Sequence, residues 1–573
     1  MTKFLASLAI CIAPICIHAQ SSKFSSYCNP IDIDYTYRVY NANRVESYRS
    51  GADPSVVSFR GEYYMFVTRS LGYWHSRDLL DWEFIDPEKW YFQGSNAPSA
   101  FNYRDSLLYV MGDPSGSMSV LYTDSPKKGD WKAIPAVLSR LNDPQFFIDD
   151  DNRAYVFWGS SNRLPIYGQE LDTENMFIKK GEERPLIEIN FTEHGWGRFG
   201  MNHTDSITKP FIEGPWITKY NGIYYLQYAA PGTQSNGYGD GVYTSDKPLG
   251  PYTYQTHNPM SYKPGGFING AGHGSTLKDH KGNYWHFATM SLSVNNPFER
   301  RIGMWPLFFD KDGIMWTDTY FGDYPHYAPM YPGKGGQFRG WMLLSYKKPV
   351  RVSGALEGFG GENMVDENVK TYWVAEANDN RQWAIIDLGR AMTVHAVQIN
   401  YFDYQNDMHG RIPGLRTRYS IEVSANGTDW TRAIDCRNSF VDAPNAYVEL
   451  ENPVRARYVR YSNVSVPMKH LAIAGIRVFG RGDAKRPESV KNFTVQRMKD
   501  RRDAAISWDK VKGAQGYNVI WGIAPDKLYS SWMVYDDTSL LLKALTANQS
   551  YYFTIEAFNE DGVSTRTPAI KTE

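Results

Sequence analysis

Asp53-Pro54-Ser55-Val56-Val57-Ser58-Phe59-Arg60-Gly61-Glu62-Tyr63-Tyr64-Met65-Phe66 reads as an apolar strand, a tight polar turn and a second strand rich in aromatics. The same phrase restarts four more times. The restarts are Ala97-Pro98-Ser99-Ala100, Asp143-Pro144-Gln145-Phe146, Glu213-Gly214-Pro215-Trp216 and Gly272-His273-Gly274-Ser275. Their second strands read Leu107-Leu108-Tyr109-Val110, Ala154-Tyr155-Val156-Phe157, Ile223-Tyr224-Tyr225-Leu226 and Asn283-Tyr284-Trp285-His286. Short strands returning at a period of roughly 40–70 residues are the mark of a β-propeller. Five restarts predict five blades.

In a propeller the innermost strand of each blade lines the central channel. Residues at one phase of the repeat therefore converge on the axis, however far apart they lie in sequence. Asp53, Asp143, Glu213 and His273 are expected to share one funnel. Three facing carboxylates cost energy through repulsion and desolvation, so such a set points to function. A single Asp-Pro carries little weight, since Asp starts turns and Pro fixes φ. Asp86-Pro87 and Asp113-Pro114 also occur in this chain, out of phase with the repeat.

Outward from the repeats, the chain of 573 residues is too long for one core. Met1 to about Ala19 reads as a secretory leader, with Lys3 before an apolar run interrupted by Pro14. The expectation is a secreted or periplasmic protein with neither a membrane span nor a lipid anchor. A formal net charge of −1 gives no footprint for nucleic acid. After cleavage only Cys28 and Cys436 remain, and two lone cysteines read as thiols. The repeat region takes residues 28–340. Alternating strands such as Trp383-Ala384-Ile385-Ile386-Asp387-Leu388-Gly389 and Ala456-Arg457-Tyr458-Val459-Arg460-Tyr461 define a second all-β unit over 345–481. A polar linker, Arg481 to Glu488, precedes a third over 489–573. The linker predicts separable modules, with every catalytic group before about residue 340.

Two resemblances attach to the later units. Trp373, Trp383 with Asp387-Leu388-Gly389, Ser424-Ala425-Asn426-Gly427-Thr428-Asp429-Trp430 and Ala456-Arg457-Tyr458-Val459-Arg460 resemble the discoidin, or factor 5/8 type C, domain. That resemblance implies a jelly-roll sandwich that often binds sugar and often carries a structural Ca²⁺. Trp508, Tyr517 and the spacing from Leu545 to Tyr551 resemble a fibronectin type III sandwich.

The repeats themselves resemble glycoside hydrolase family 43 over residues 50 to 320. The resemblance rests on Asp53-Pro54-Ser55, Asp143-Pro144 with Asp149-Asp150-Asp151, Glu213-Gly214-Pro215 and Gly272-His273-Gly274-Ser275. It implies an inverting hydrolase on a five-bladed propeller. It assigns Asp53 as general base, Glu213 as general acid and Asp143 as the residue that orients the acid and tunes its pKa. Inversion needs such a pair, roughly 6.5–9.5 Å apart to admit a water. His273 is expected at the channel centre as a substrate contact, or as a ligand of a central water or Ca²⁺. Trp74 and Arg301 complete the expected substrate contacts, with Arg300 as the alternative to Arg301. Trp158, Trp196 and Trp216 read either as sugar platforms or as core. Asn96 before Ala97-Pro98 departs from the Trp common in the family, which unsettles any transfer of its first subsite.

The expected activity is an exo-glycosidase acting on plant cell-wall polysaccharide, releasing α-L-arabinofuranose and needing no cofactor. A β-xylosidase or an exo-β-galactosidase is the alternative. A noncatalytic glycan-binding protein is the rival from outside the enzymes. It has no need to hold three carboxylates together.

Overall fold

The computed structural model describes residues 26–39, 46–88, 95–113, 117–139, 141–175, 177–327 and 335–573. The leader lies outside them. The chain is all-β. Among the described residues no helix is long and apolar enough to cross a membrane.

Five antiparallel sheets of four principal strands follow one another. Their innermost strands are Ser55–Phe59, Asn96–Tyr103, Gln145–Ile148, Ile212–Tyr220 and Asn269–Lys278. Each pairs with the next strand of its own sheet, as Val57 opposite Tyr64 and Phe146 opposite Val156. A single parallel pair, Gly239 opposite Ala271, links the fourth and fifth.

A ring of side-chain clasps joins neighbouring sheets. The residue two after Asp53, Ala97, Asp143 and His273 accepts a backbone N–H from the next sheet. Ser55 Oγ receives Ala100 N at 2.9 Å, Ser99 Oγ receives Phe146 N at 3.1 Å and Gln145 Oε1 receives Ile217 N at 3.1 Å. Ser275 Oγ receives Val56 N at 3.1 Å, which closes the fifth sheet onto the first. Trp216 occupies the corresponding place in the fourth sheet and offers no acceptor. There Asp240 takes over, receiving the His273 and Gly274 N–H groups at 2.7 and 3.0 Å.

The second unit wraps eight antiparallel strands, including the long Trp383–Tyr401 and Asn445–Ser465, around Trp373, Leu388, Ile399 and Tyr461. The third has a three-stranded and a five-stranded sheet. In it the Tyr551 hydroxyl accepts Thr546 N at 3.0 Å. Cys28 is a buried free thiol. Cys436 is buried and disulfide-bonded, which corrects its reading as a thiol.

The units do not behave as beads on a linker. Phe267, Met290 and Leu292 of the propeller share one core with Phe402 and Ala474 of the second unit. Trp196, Tyr228 and Tyr262 share another with Trp521, Trp532 and Leu545 of the third. Arg49, fully buried, holds Asp403 at 2.5 Å and Asp442 at 2.8 Å. Arg477 grips Glu367 through two hydrogen bonds of 2.9 and 2.8 Å and reaches the Asp323 carbonyl. Arg198 bonds Asp503 at 2.5 Å. The polar linker hid these joints because their partners lie hundreds of residues apart in sequence.

Candidate active site

The channel is built from one backbone device used five times. Asp53, Ala97, Asp143, Gly214 and His273 all have left-handed φ, at 54°, 39°, 48°, 57° and 50°. Each stands just before Pro or Gly and turns the chain into an innermost strand. Left-handed φ is costly for most L-residues and mildest for Gly, Asn and Asp. Glu213 is therefore one residue ahead of the true equivalent position, which Gly214 holds. A Cβ on Gly214 would lie 2.5 Å from the His273 ring. The fourth sheet gives up its side chain at that point to admit the imidazole. The carboxyl moves to the preceding residue, where Glu213 pairs with Ser160 of the strand alongside.

Asp53 is only 7% exposed. Its Oδ2 accepts the Thr68 hydroxyl at 2.5 Å, and its Oδ1 lies 3.4 Å from Arg300 Nη1 and 3.3 Å from His273 Nδ1. Burial pushes its pKa up. Arg300, His273, the Thr68 bond and Arg38 outweigh that and hold the carboxyl below its ordinary range. Glu213 is fixed by two hydroxyls, with Tyr238 donating to Oε1 at 2.7 Å and Ser160 to Oε2 at 3.0 Å. His273 Nδ1 lies 3.8 Å from Asp143 Oδ2. Burial favours the neutral ring, but Asp53, Asp143, Glu213 and Asp240 together outweigh it and raise its pKa.

Asp53, Asp143, Gly214, Trp216 and His273 border one axial cavity of about 20 Å³, room for about one water. Among the described residues no three His, Cys, Asp or Glu side chains gather as a metal cage. At the axis His273 presents a raised-pKa nitrogen to two carboxylates. This donor set suits a proton better than a calcium ion, and no step below is routed through a metal.

Two expected substrate contacts lie elsewhere. Trp74 is 1% exposed. Its Nε1 donates to Asp34 at 2.8 Å and its ring meets Phe84 edge-on, so it is core of the first sheet. Arg301 is also buried, donating to the Arg49 carbonyl at 2.6 Å and stacking on Tyr35. Neighbouring residues of a strand face opposite ways. Arg300 therefore takes the channel side and Arg301 the side toward the second unit. Trp158 and Trp196 are core as well. Tyr238 and Asp240 went unread in the sequence, since Gly239-Asp240-Gly241 carries no repeat signal.

Residues 47–315 match the model of glycosyl hydrolases family 43, and residues 350–471 match that of the F5/8 type C domain. A beta-D-galactofuranosidase of Aspergillus niger is 26% identical, covering 35% of this chain and 63% of the relative. A xylan 1,3-beta-xylosidase of a Vibrio species is 24% identical over 43% and 49% of the two chains. An arabinoxylan arabinofuranohydrolase of Bacillus subtilis is 24% identical over 40% and 53%. The chain spans about half the length of the curated relatives it matches. With Asp53, Asp143 and His273 bordering one cavity, residues 47–315 are thus similar to glycosyl hydrolases family 43 and residues 350–471 to the F5/8 type C domain.

Proposed function

We propose that this protein is an inverting exo-glycosidase on a five-bladed propeller, removing terminal α-L-arabinofuranose from plant cell-wall polysaccharide. The observation that carries the reading is the contrast between the two carboxyls. Asp53 is charge-stabilised beside Arg300 and His273, whereas Glu213 meets only the neutral hydroxyls of Tyr238 and Ser160 at hydrogen-bond distance. An ionised carboxylate suits the group that takes a proton from water. A carboxyl whose hydrogen-bond partners are neutral hydroxyls suits the group that must carry a proton to the leaving oxygen. Asp143 acts beside them by sharing the His273 ring with Asp53. Two of the three relatives quoted are named for furanose sugars, which favours a furanoside. The Vibrio relative supports the β-xylosidase alternative, and an exo-β-galactosidase stays the second alternative. A noncatalytic glycan-binding protein has no use for such unlike carboxyl environments.

The second unit holds polysaccharide near the channel, and the third is a fibronectin type III sandwich. The leader directs the chain to the periplasm or outside the cell. No cofactor takes part. Exhaustive treatment with a chelator is expected to leave turnover of an aryl glycoside within about twofold, because His273 already stands between Asp53 and Asp143 at the axis. Loss of activity restored by Ca²⁺ would instead place a metal in the mechanism.

The stereochemical test is direct. Asp53 activates water and does not attack carbon, so the anomeric configuration inverts. Proton NMR of the first product formed is expected to show the inverted anomer. Initial release of the retained anomer contradicts the mechanism.

A further inference from the structure

Three arginines stand on the Asp53 side of the channel. Arg300 is the deepest, 6% exposed, with Nη1 3.4 Å from Asp53 and 3.5 Å from the Thr233 hydroxyl. Its buried Nε has no partner. Arg69 follows Thr68, the residue bonded to Asp53, and lies exposed with Nε donating to Asn96 at 2.9 Å. Arg38 ends the strand Thr36–Arg38 between them. On one side Thr36 donates to the Ser70 carbonyl at 2.9 Å. On the other, that strand pairs with Tyr48–Ser50, and Ser50 Oγ bonds the Phe298 carbonyl and Arg300 N.

Arg38 is half-buried and makes no hydrogen bond or ion pair among the described residues. Burial first, then Arg300 and Arg69, push the Arg38 guanidinium down to about 10. Asp53 is a poor counterion for all three, because its carboxylate must also hold the attacking water. Sugar hydroxyls would satisfy the free N–H donors but leave the like charges opposed. A carboxylate does both, and its two oxygens match a guanidinium fork.

We infer that the Asp53 side of the channel binds a carboxylate-bearing saccharide, an acidic sugar carried by the glycan that is cut, held by Arg38 with Arg300 and Arg69. This rests on the glycosidase reading and narrows its substrates to acidic glycans. The gradient from exposed Arg69 through Arg38 to buried Arg300 also forms an electrostatic funnel toward the site.

The test is equilibrium binding to the full chain by calorimetry. One probe is trigalacturonate, and the other is the neutral trisaccharide with a hydroxymethyl group in place of each carboxylate. The acidic probe is expected to bind about tenfold or more tightly, with an advantage that shrinks as NaCl is raised. Arg38→Gln should cut the acidic-to-neutral affinity ratio about tenfold and Arg69→Gln by a smaller factor. Equal affinities in the native chain would overturn the inference, and so would an Arg38→Gln variant that weakens both probes alike. If Arg38→Gln does not fold, Arg69→Gln and the salt dependence decide. Binding needs no turnover, so the two readings fail separately. Acid-selective binding without hydrolysis of any glycoside would sink only the glycosidase reading. Turnover of neutral arabinan without any preference for acid would sink only this inference.

Discussion

Glu213→Ala is expected to lose roughly 10²–10⁴-fold in kcat/KM on natural glycans yet keep far more of its activity on a dinitrophenyl glycoside. A sugar alkoxide needs a proton to leave, whereas a dinitrophenolate does not. Alanine removes the carboxyl that Tyr238 and Ser160 hold in place and leaves Asp53 with its own partners. Asp53→Ala is expected to be poor on both substrates, because water must be activated whatever departs. Measuring kcat/KM for both variants on both substrates checks the assignment. If Glu213→Ala falls equally on the two, or Asp53→Ala shows the leaving-group dependence, the roles are wrong.

Deleting residues 345–573 is expected to abolish soluble, folded protein, not merely polysaccharide attachment. The deletion leaves Arg49 without Asp403 and Asp442, and Arg198 without Asp503. Breaking a buried pair by removing one partner costs about 3–5 kcal/mol. Two such losses, with two shared cores opened, rival a domain's whole stability of about 5–15 kcal/mol. The full chain should accordingly melt in one cooperative transition. A soluble 26–340 fragment that melts cooperatively and turns over an aryl glycoside at the full-length rate would restore the modular view.

How much was legible in the sequence follows from what kind of contact each feature needs. The five restarts were readable because every sheet begins with the same turn, and Pro or Gly after it marks the place. That phase also brought Asp53, Asp143 and His273 to one cavity. Glu213 was aligned one residue early because the register shifts between Glu213 and Trp216, and a bulge of one residue leaves no trace in an ungapped motif. Arg300 and Arg301 could not be told apart without knowing the strand's register. Trp74 looked like a sugar platform because burial behind Phe84 and Asp34 is set by the chain around it. The joints between units, such as Arg49 with Asp403, depend on side chains so distant in sequence that no local pattern announces them.

The repeated left-handed turn has a consequence for how this protein can change. One backbone solution carries four different side chains at five places: a carboxylate twice, a methyl, a hydrogen and an imidazole. The skeleton is indifferent to which chemistry it displays. Ala97 is the blank among them, since its φ of 39° is already one that Asn or Asp adopts more readily than Ala. The second sheet is thus an open line in the text, where selection or an engineer can write another functional group into the channel without rebuilding the strand that presents it.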